Sequence, residues 1–333
     1  MFMPVRGAYG ILVQEGSMIS VQEVSKNYGC VKALDKVSLR IPKGQVLGML
    51  GQNGAGKTSL LNIISGYLPP SQGNILINGI DMAREPINAK AHIGYLPESP
   101  PLYPEMTVKE YLRFCCDIKR VVKADQDRHI VQIVQITGLQ DVADRRISNL
   151  SKGYRQRTGL AQALCGDPDV LLLDEPSSGF DPAQAIEFRG IVQRLSGKHT
   201  IIISSHILGE IQAICDRVII LHQGQLLYDQ LVNVSDREKQ SIRFHLRVRM
   251  PMQALIRAVR SLPSVLSADA LSEESGVSDV SINAKTEVGF EEELFTLLSG
   301  LQTPILRLTP IAESMEDIFM RITSPRFMKE PAS

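Results

Sequence analysis

The sequence predicts an α/β protein: a core on a buried parallel sheet, then a small C-terminal α/β domain. Three observations predict it. "VLGML" (46–50) and "VLLLD" (170–174) are apolar runs too short for ordinary helices, and the second reads as a strand buried on both faces, as in parallel sheets. A glycine-rich loop and then helical apolar spacing follow the first run, a strand–loop–helix order. After residue 235 the composition changes and a second pattern of strands and helices begins.

In chain order, residues 1–17 ("MFMPVRGAYGILVQEGS") are mildly apolar but broken by Pro4, Arg6 and Gly10, and they read as a disordered extension. The patterned sequence begins just after Met18, which stands beside Met1 as a possible start. The core domain is expected over 18–234. No uninterrupted apolar stretch approaches the ~18 residues of a membrane span, so the chain reads as soluble, which leaves docking onto a membrane protein open. With 36 basic and 36 acidic residues the net charge is zero, and no nucleic-acid partner is expected. The five cysteines contain no CxxC spacing, which argues against zinc and thioredoxin-like chemistry and for reduced, intracellular thiols.

The loop after "VLGML" comprises Gly51, Gln52, Asn53, Gly54, Ala55 and Gly56, followed by Lys57, Thr58 and Ser59, and it fits the phosphate-binding pattern GxxxxGK[ST]. Glycines let backbone N–H groups turn onto phosphate oxygens where a β-carbon would crowd them. Lys57 is expected to reach the β- and γ-phosphates, and Thr58 to place its hydroxyl on Mg²⁺. Such a loop needs a second strand that presents a carboxylate to the metal, and "VLLLDE" supplies Asp174. Glu175, one residue further, is expected to face the γ-phosphate and polarise the attacking water. Two adjacent acids at the mouth of a buried strand need compensation, and on this reading Mg²⁺ provides it.

Between these motifs lies "NLSKGYRQRTGLAQALCGDPDVLLLDE". It resembles the signature region of ATP-binding cassette (ABC) proteins, whose usual core is LSGGQ. Here Lys152 replaces a glycine and Tyr154 the glutamine, while Ser151 and Gly153 match. A Ser-x-Gly turn that opens a helix is an anion site; the resemblance implies that it closes on ATP held by the opposite subunit. Tyr28 matches the aromatic that stacks on adenine, Asp181 in "SSGFD" the position that communicates across the dimer, and His206 the switch histidine at the γ-phosphate. The resemblance covers about residues 18–230.

"SQGNILINGIDM" reads as a turn and short strands, where the resemblance implies a small antiparallel β-region beside the core. The resemblance implies an inserted helical subdomain, about 99–165, and this stretch has helical periodicity with a capping signal at "TVKE" (107–110). Glu98 stands where the family has a metal-sensing glutamine and is expected among the Mg²⁺ ligands with Thr58 and Asp174. A charged linker at 235–241 leads to a βαββαβ pattern over 242–325, which suggests a ferredoxin-like sandwich, and a tail at 326–333. Its strands are read at 242–249, 265–271, 277–283 and 305–308, its helices at 252–261 and 291–298, with a final amphipathic helix "IAESMEDIFMRIT". Arg243, Arg247 and Arg249 alternate on one strand face and read as solvated surface.

The resemblance implies a Mg²⁺-dependent ATPase, working as a head-to-tail dimer on the cytoplasmic face of the membrane and coupled to a separate integral-membrane permease. The "GYLPE" and "LSKGYRQR" variants resemble drug-export and gliding-associated (ABC-2 type) members, so export is the expected direction. The contrasting class is a soluble ABC ATPase that remodels a ribosome or DNA complex. Such proteins usually carry two cassettes or a long coiled-coil insertion, and neither is visible here.

Overall fold

A computed structural model describes residues 17–232, 241–285, 289–311 and 319–320. The first unit opens with β1 (Ser17–Tyr28) and β2 (Val31–Pro42), paired antiparallel. Ser17, read from the sequence as the last residue of the extension, is already paired with Pro42. β3 (Val46–Leu50) runs through the glycine loop into α1 (Lys57–Ile64). The helix starts two residues before the apolar spacing at Ser59 reveals it, because its first turn is polar.

β4 (Gln72–Ile77) and β5 (Ile80–Asp81) complete an antiparallel sheet of order β2-β1-β4-β5. A short helix, α2 (Pro86–Ala91), leads to β6 (Ile93–Leu96), and α3 (Val108–Ile118), α4 (Lys123–Thr137) and α5 (Lys152–Leu164) form the helical insertion. The chain returns through β7 (Val170–Asp174), α6 (Pro182–Leu195), β8 (Thr200–Ser205), α7 (Leu208–Gln212), β9 (Arg217–His222) and β10 (Gln225–Leu231).

The main sheet has the order β10-β9-β3-β8-β7-β6, parallel from β9 to β6 with β10 antiparallel at the edge. Every residue of β3, β7 and β8 is buried, which is why these strands are continuously apolar rather than alternating. β8 lies between β3 and β7, so the glycine loop after β3 and the acids at the end of β7 emerge at the same edge.

The capping signal at 107–110 is a capping box: Thr107 Oγ1 accepts from the Glu110 N–H and Glu110 Oε2 accepts from the Thr107 N–H. Thr107→Ala is expected to cost about 1 kcal/mol and lower the melting temperature by about 2–4 °C, read by thermal unfolding. An unchanged midpoint would show that the cap adds nothing to stability.

The second unit is β11 (Ser241–Val248), α8 (Met252–Val259), β12 (Val265–Glu274), β13 (Val277–Lys285), α9 (Phe290–Gly300) and β14 (Ile305–Ile311). Its antiparallel sheet has the order β12-β13-β11-β14, the ferredoxin-like arrangement. Phe244, Leu246 and Val248 share a core with Leu255, Val259, Phe290 and Leu294, while Arg247 and Arg249 are exposed. β14 runs past Leu308 because Thr309, Pro310 and Ile311 continue the pairing with β11, which removes Ile311 from the expected final helix. The rest of that helix, apart from Phe319 and Met320, lies outside the described residues, as do residues 1–16, most of the linker and the tail.

Candidate active site

The glycine loop is held by geometry that only glycine tolerates at two positions. Gly56, the N-cap of α1, has φ 108°, and a β-carbon there would lie 2.6 Å from the Ala33 carbonyl oxygen. At Gly51 a β-carbon would lie 2.6 Å from the Leu221 carbonyl oxygen. No side chain caps α1 and no acid occupies its first turn, so the amides at its start are free to meet an anion. Gln52, Asn53, Gly54 and Thr58 are exposed around them, Ser59 is half-buried, and Ala55 is buried, its carbonyl accepting from the Gly224 N–H.

Lys57 points back across the loop, its ammonium donating to the Gly51 carbonyl at 2.7 Å. It also pairs with Glu175 Oε1 at 3.2 Å; the two side chains are only 6% and 12% exposed. Glu175 Oε2 accepts from His206 Nδ1 at 2.8 Å. Lys57, Glu175 and His206 thus form one chain of contacts across the ends of β3, β7 and β8. The protein itself supplies a counter-charge to Glu175, which sequence reasoning had left to Mg²⁺. Glu175 adopts φ 44°, a left-handed conformation of a non-glycine residue of the kind that clusters at functional sites.

Asp174 is 1% exposed and takes a different partner. The Ser204 hydroxyl donates to its Oδ1 at 2.6 Å and accepts from the Glu175 N–H at 2.8 Å, so one serine orders both acids. Asp174 Oδ2 is buried with no hydrogen-bond partner, an unsatisfied charged acceptor at the edge of the site. Burial first, and then the Asp174 charge, hold the Tyr95 hydroxyl protonated with its pKa raised, and this phenol donates to Asn62 Oδ1 at 3.0 Å.

The remaining predicted residues are placed as follows. Tyr28 ends β1 and is 47% exposed, with the Lys26 ammonium 5.4 Å from its ring centroid. Ser151 is the N-cap of α5, its hydroxyl oxygen accepting from the Tyr154 N–H at 3.3 Å, which leaves the hydroxyl proton to donate elsewhere. Gly153 lies against α6: a β-carbon on it would come within 2.9 Å of the Gln184 side chain. Asp181 is the N-cap of α6 and accepts from the Gln184 N–H at 2.9 Å. Glu98 is exposed, and only its backbone carbonyl is engaged, by Gln156 at 3.4 Å. Among the described residues no three His, Cys, Asp or Glu side chains converge to hold a metal, so Glu98 does not form such a group with Asp174 and Glu175.

Sequence reasoning missed Ser204, Ser205, Ser177 and Glu210, all hydrogen-bonded beneath the acids. The signal for the first two was present in "TIIISSH": two polar residues at the end of a wholly buried strand need buried partners. For a divalent cation, the orphaned Asp174 Oδ2 and the Thr58 hydroxyl are hard oxygen donors of the kind Mg²⁺ takes together with substrate phosphates, so the residues fit that ion.

A glycine loop entering a helix, with paired acids at the end of a parallel strand one removed, defines an α/β nucleoside-triphosphate-binding domain. A family profile described as "ABC transporter" matches residues 34–178. The chain is 40% identical over 217 residues to "ABC transporter ATP-binding protein NatA" of Bacillus subtilis (strain 168), which covers 63% of this chain and 88% of that protein. It is 34% identical over 311 residues to "Uncharacterized ABC transporter ATP-binding protein YhcH" of the same organism, 92% of this chain and 96% of that one. A solved structure described as "Structure of ATP binding subunit of ABC transporter" superposes with TM-score 0.59 at 28% identity over 65% of this chain and 90% of that chain. The chain belongs to the family of ABC transporter ATP-binding proteins.

Proposed function

We propose that the chain binds and hydrolyses ATP as the energising subunit of an ABC transporter, and that the observation carrying this is the contact chain Lys57–Glu175–His206 beside the unsatisfied Asp174 Oδ2. The β- and γ-phosphates enter the loop 51–56 and take Lys57 away from Glu175. That releases Oε1 of Glu175 to orient a water and accept its proton as the water attacks the γ-phosphate. His206, still bonded to Oε2, holds the carboxylate and lies at the γ-phosphate side. Tyr28 stacks on the adenine. Thr58 and Asp174, with Glu98, would hold Mg²⁺, which when bound would supply positive charge against that developing on the phosphates. In a head-to-tail homodimer, Ser151 and Gly153 close on the ATP of the opposite subunit, and Asp181 lies at the junction.

The partner is an integral-membrane permease, with the chain peripheral at the cytoplasmic face of the membrane. Tyr103, Phe114, Ile118, Val122 and Val131 support this: all are exposed apolar side chains in or beside the helical insertion. Among the described residues no helix is long and apolar enough to cross a membrane. Export is the direction, on the subgroup resemblance. The test is phosphate release from Mg²⁺-ATP by the purified chain, with identification of the integral protein that copurifies from detergent-solubilised membranes. No hydrolysis, alone or with that protein, overturns the reading.

Glu98 yields its own prediction. Glutamate offers a hard cation a charged oxygen where glutamine offers a neutral one. Glu98→Gln is therefore expected to keep substantial activity but to need more Mg²⁺ for half-maximal rate. Glu98→Ala should lose permease stimulation more than ATP binding. Superimposable Mg²⁺ titrations of wild type and both variants would remove Glu98 from the site.

A further inference from the structure

We infer that Glu210 is a positioning residue of the hydrolytic site: its carboxylate fastens the loop that follows Glu175 to the loop that carries His206. The inference rests on the proposed function and names a residue outside the motifs that define it. One oxygen, Glu210 Oε2, accepts from the Ser177 hydroxyl at 2.8 Å and from the Ser205 hydroxyl at 3.1 Å. Ser177 lies two residues after Glu175, and Ser205 immediately precedes His206. Ser205 Oγ in turn accepts from the Ile207 N–H at 3.0 Å, so the backbone on both sides of His206 is tied to the same carboxylate.

Glu175 and His206 meet directly through Oε2 and Nδ1 on the substrate side; Glu210 joins their loops from behind. Pro176, Phe188, Ile203, Ile211 and Ile214 line a recess there with Glu210, and an apolar surround strengthens hydrogen bonds to a charged acceptor. Arg189 lines the same recess but makes no ion pair with Glu210, so among the described residues the two hydroxyls, not a cation, engage the carboxylate. Glu175 sits at φ 44°, a conformation that lasts only where the flanking chain is held on both sides. On the side before it, Ser204 does the holding; on the side after it, the Ser177–Glu210 bond does.

The consequence is specific to the rate of the chemical step. Without Glu210 the ATP loop, Lys57 and Tyr28 are untouched, while Glu175 and His206 lose their fixed spacing. Glu210→Ala is expected to lower kcat for ATP about tenfold and to change KM less than about twofold. Glu210→Gln, whose amide oxygen can accept from the same two hydroxyls, should restore at least about half of the wild-type kcat. Ser177→Ala combined with Glu210→Ala should be no slower than Glu210→Ala alone, because the two changes remove the same bond.

Steady-state ATPase kinetics of the full chain, with thermal unfolding of each variant, decide the matter. Unchanged kcat in Glu210→Ala overturns the inference. So does a Gln variant as slow as the Ala variant, or additive losses in the double variant. A wild-type chain without ATPase activity, alone and with the integral protein that copurifies, overturns the proposed function itself, whereas active wild type with an inactive Glu175→Gln and an unaffected Glu210→Ala overturns this inference alone.

Discussion

Glu175→Gln slows ATP hydrolysis by about 10²-fold or more while ATP still binds. The amide keeps the shape of the side chain and can accept from His206 through its oxygen, so the loops stay in place. It can take no proton from water, so on the proposed role of Glu175 the chemical step loses its base. The structure adds a second expectation. Because Lys57 pairs with Glu175 at 3.2 Å, ATP must displace a carboxylate to reach the lysine. Glutamine competes less well for an ammonium, so ATP affinity should hold or rise. Nucleotide-binding titrations and phosphate release measure the two effects separately, and size-exclusion chromatography with ATP should show an accumulated dimer. Turnover within about threefold of wild type would remove Glu175 from the role of base.

The second large effect tests whether one site draws on two chains. Lys57→Ala removes the cation proposed to meet the phosphates, and Ser151→Arg places a long charged side chain at the start of α5. Each pure variant should lose nearly all activity. In a mixed dimer both defects fall on one composite site and leave the other whole. Coexpression in equal amounts makes about half of the dimers mixed, each with one intact site, and so returns activity to about a quarter of wild type. Mixed samples no more active than either pure variant, with rates independent of protein concentration, would contradict the shared site.

Much of this fold was legible because its signals are local. The central strands announce themselves as short apolar runs, since a strand covered on both faces has no polar position to fill. The βαββαβ order of the second unit was readable from alternating and helical spacing, and its sheet order followed the expected topology. Element ends were less legible. Nothing in the apolar spacing marks Lys57 as the first residue of α1, and β14 runs through a proline because an edge strand tolerates a missing donor on its open side.

By itself the sequence determined where the phosphate-loop pattern and the paired acids lie. A phosphate loop needs glycine, lysine and a hydroxyl at set spacings along one stretch of chain, and the acids must end a buried strand; both conditions are written within a few consecutive residues. Only the tertiary structure decided how those residues are paired. Lys57 with Glu175, Ser204 with Asp174, and Glu210 with Ser177 and Ser205 are contacts across neighbouring strands and loops. Their partners follow from the strand order β3-β8-β7 and from the need to satisfy every buried polar group, and spacing along the chain encodes neither.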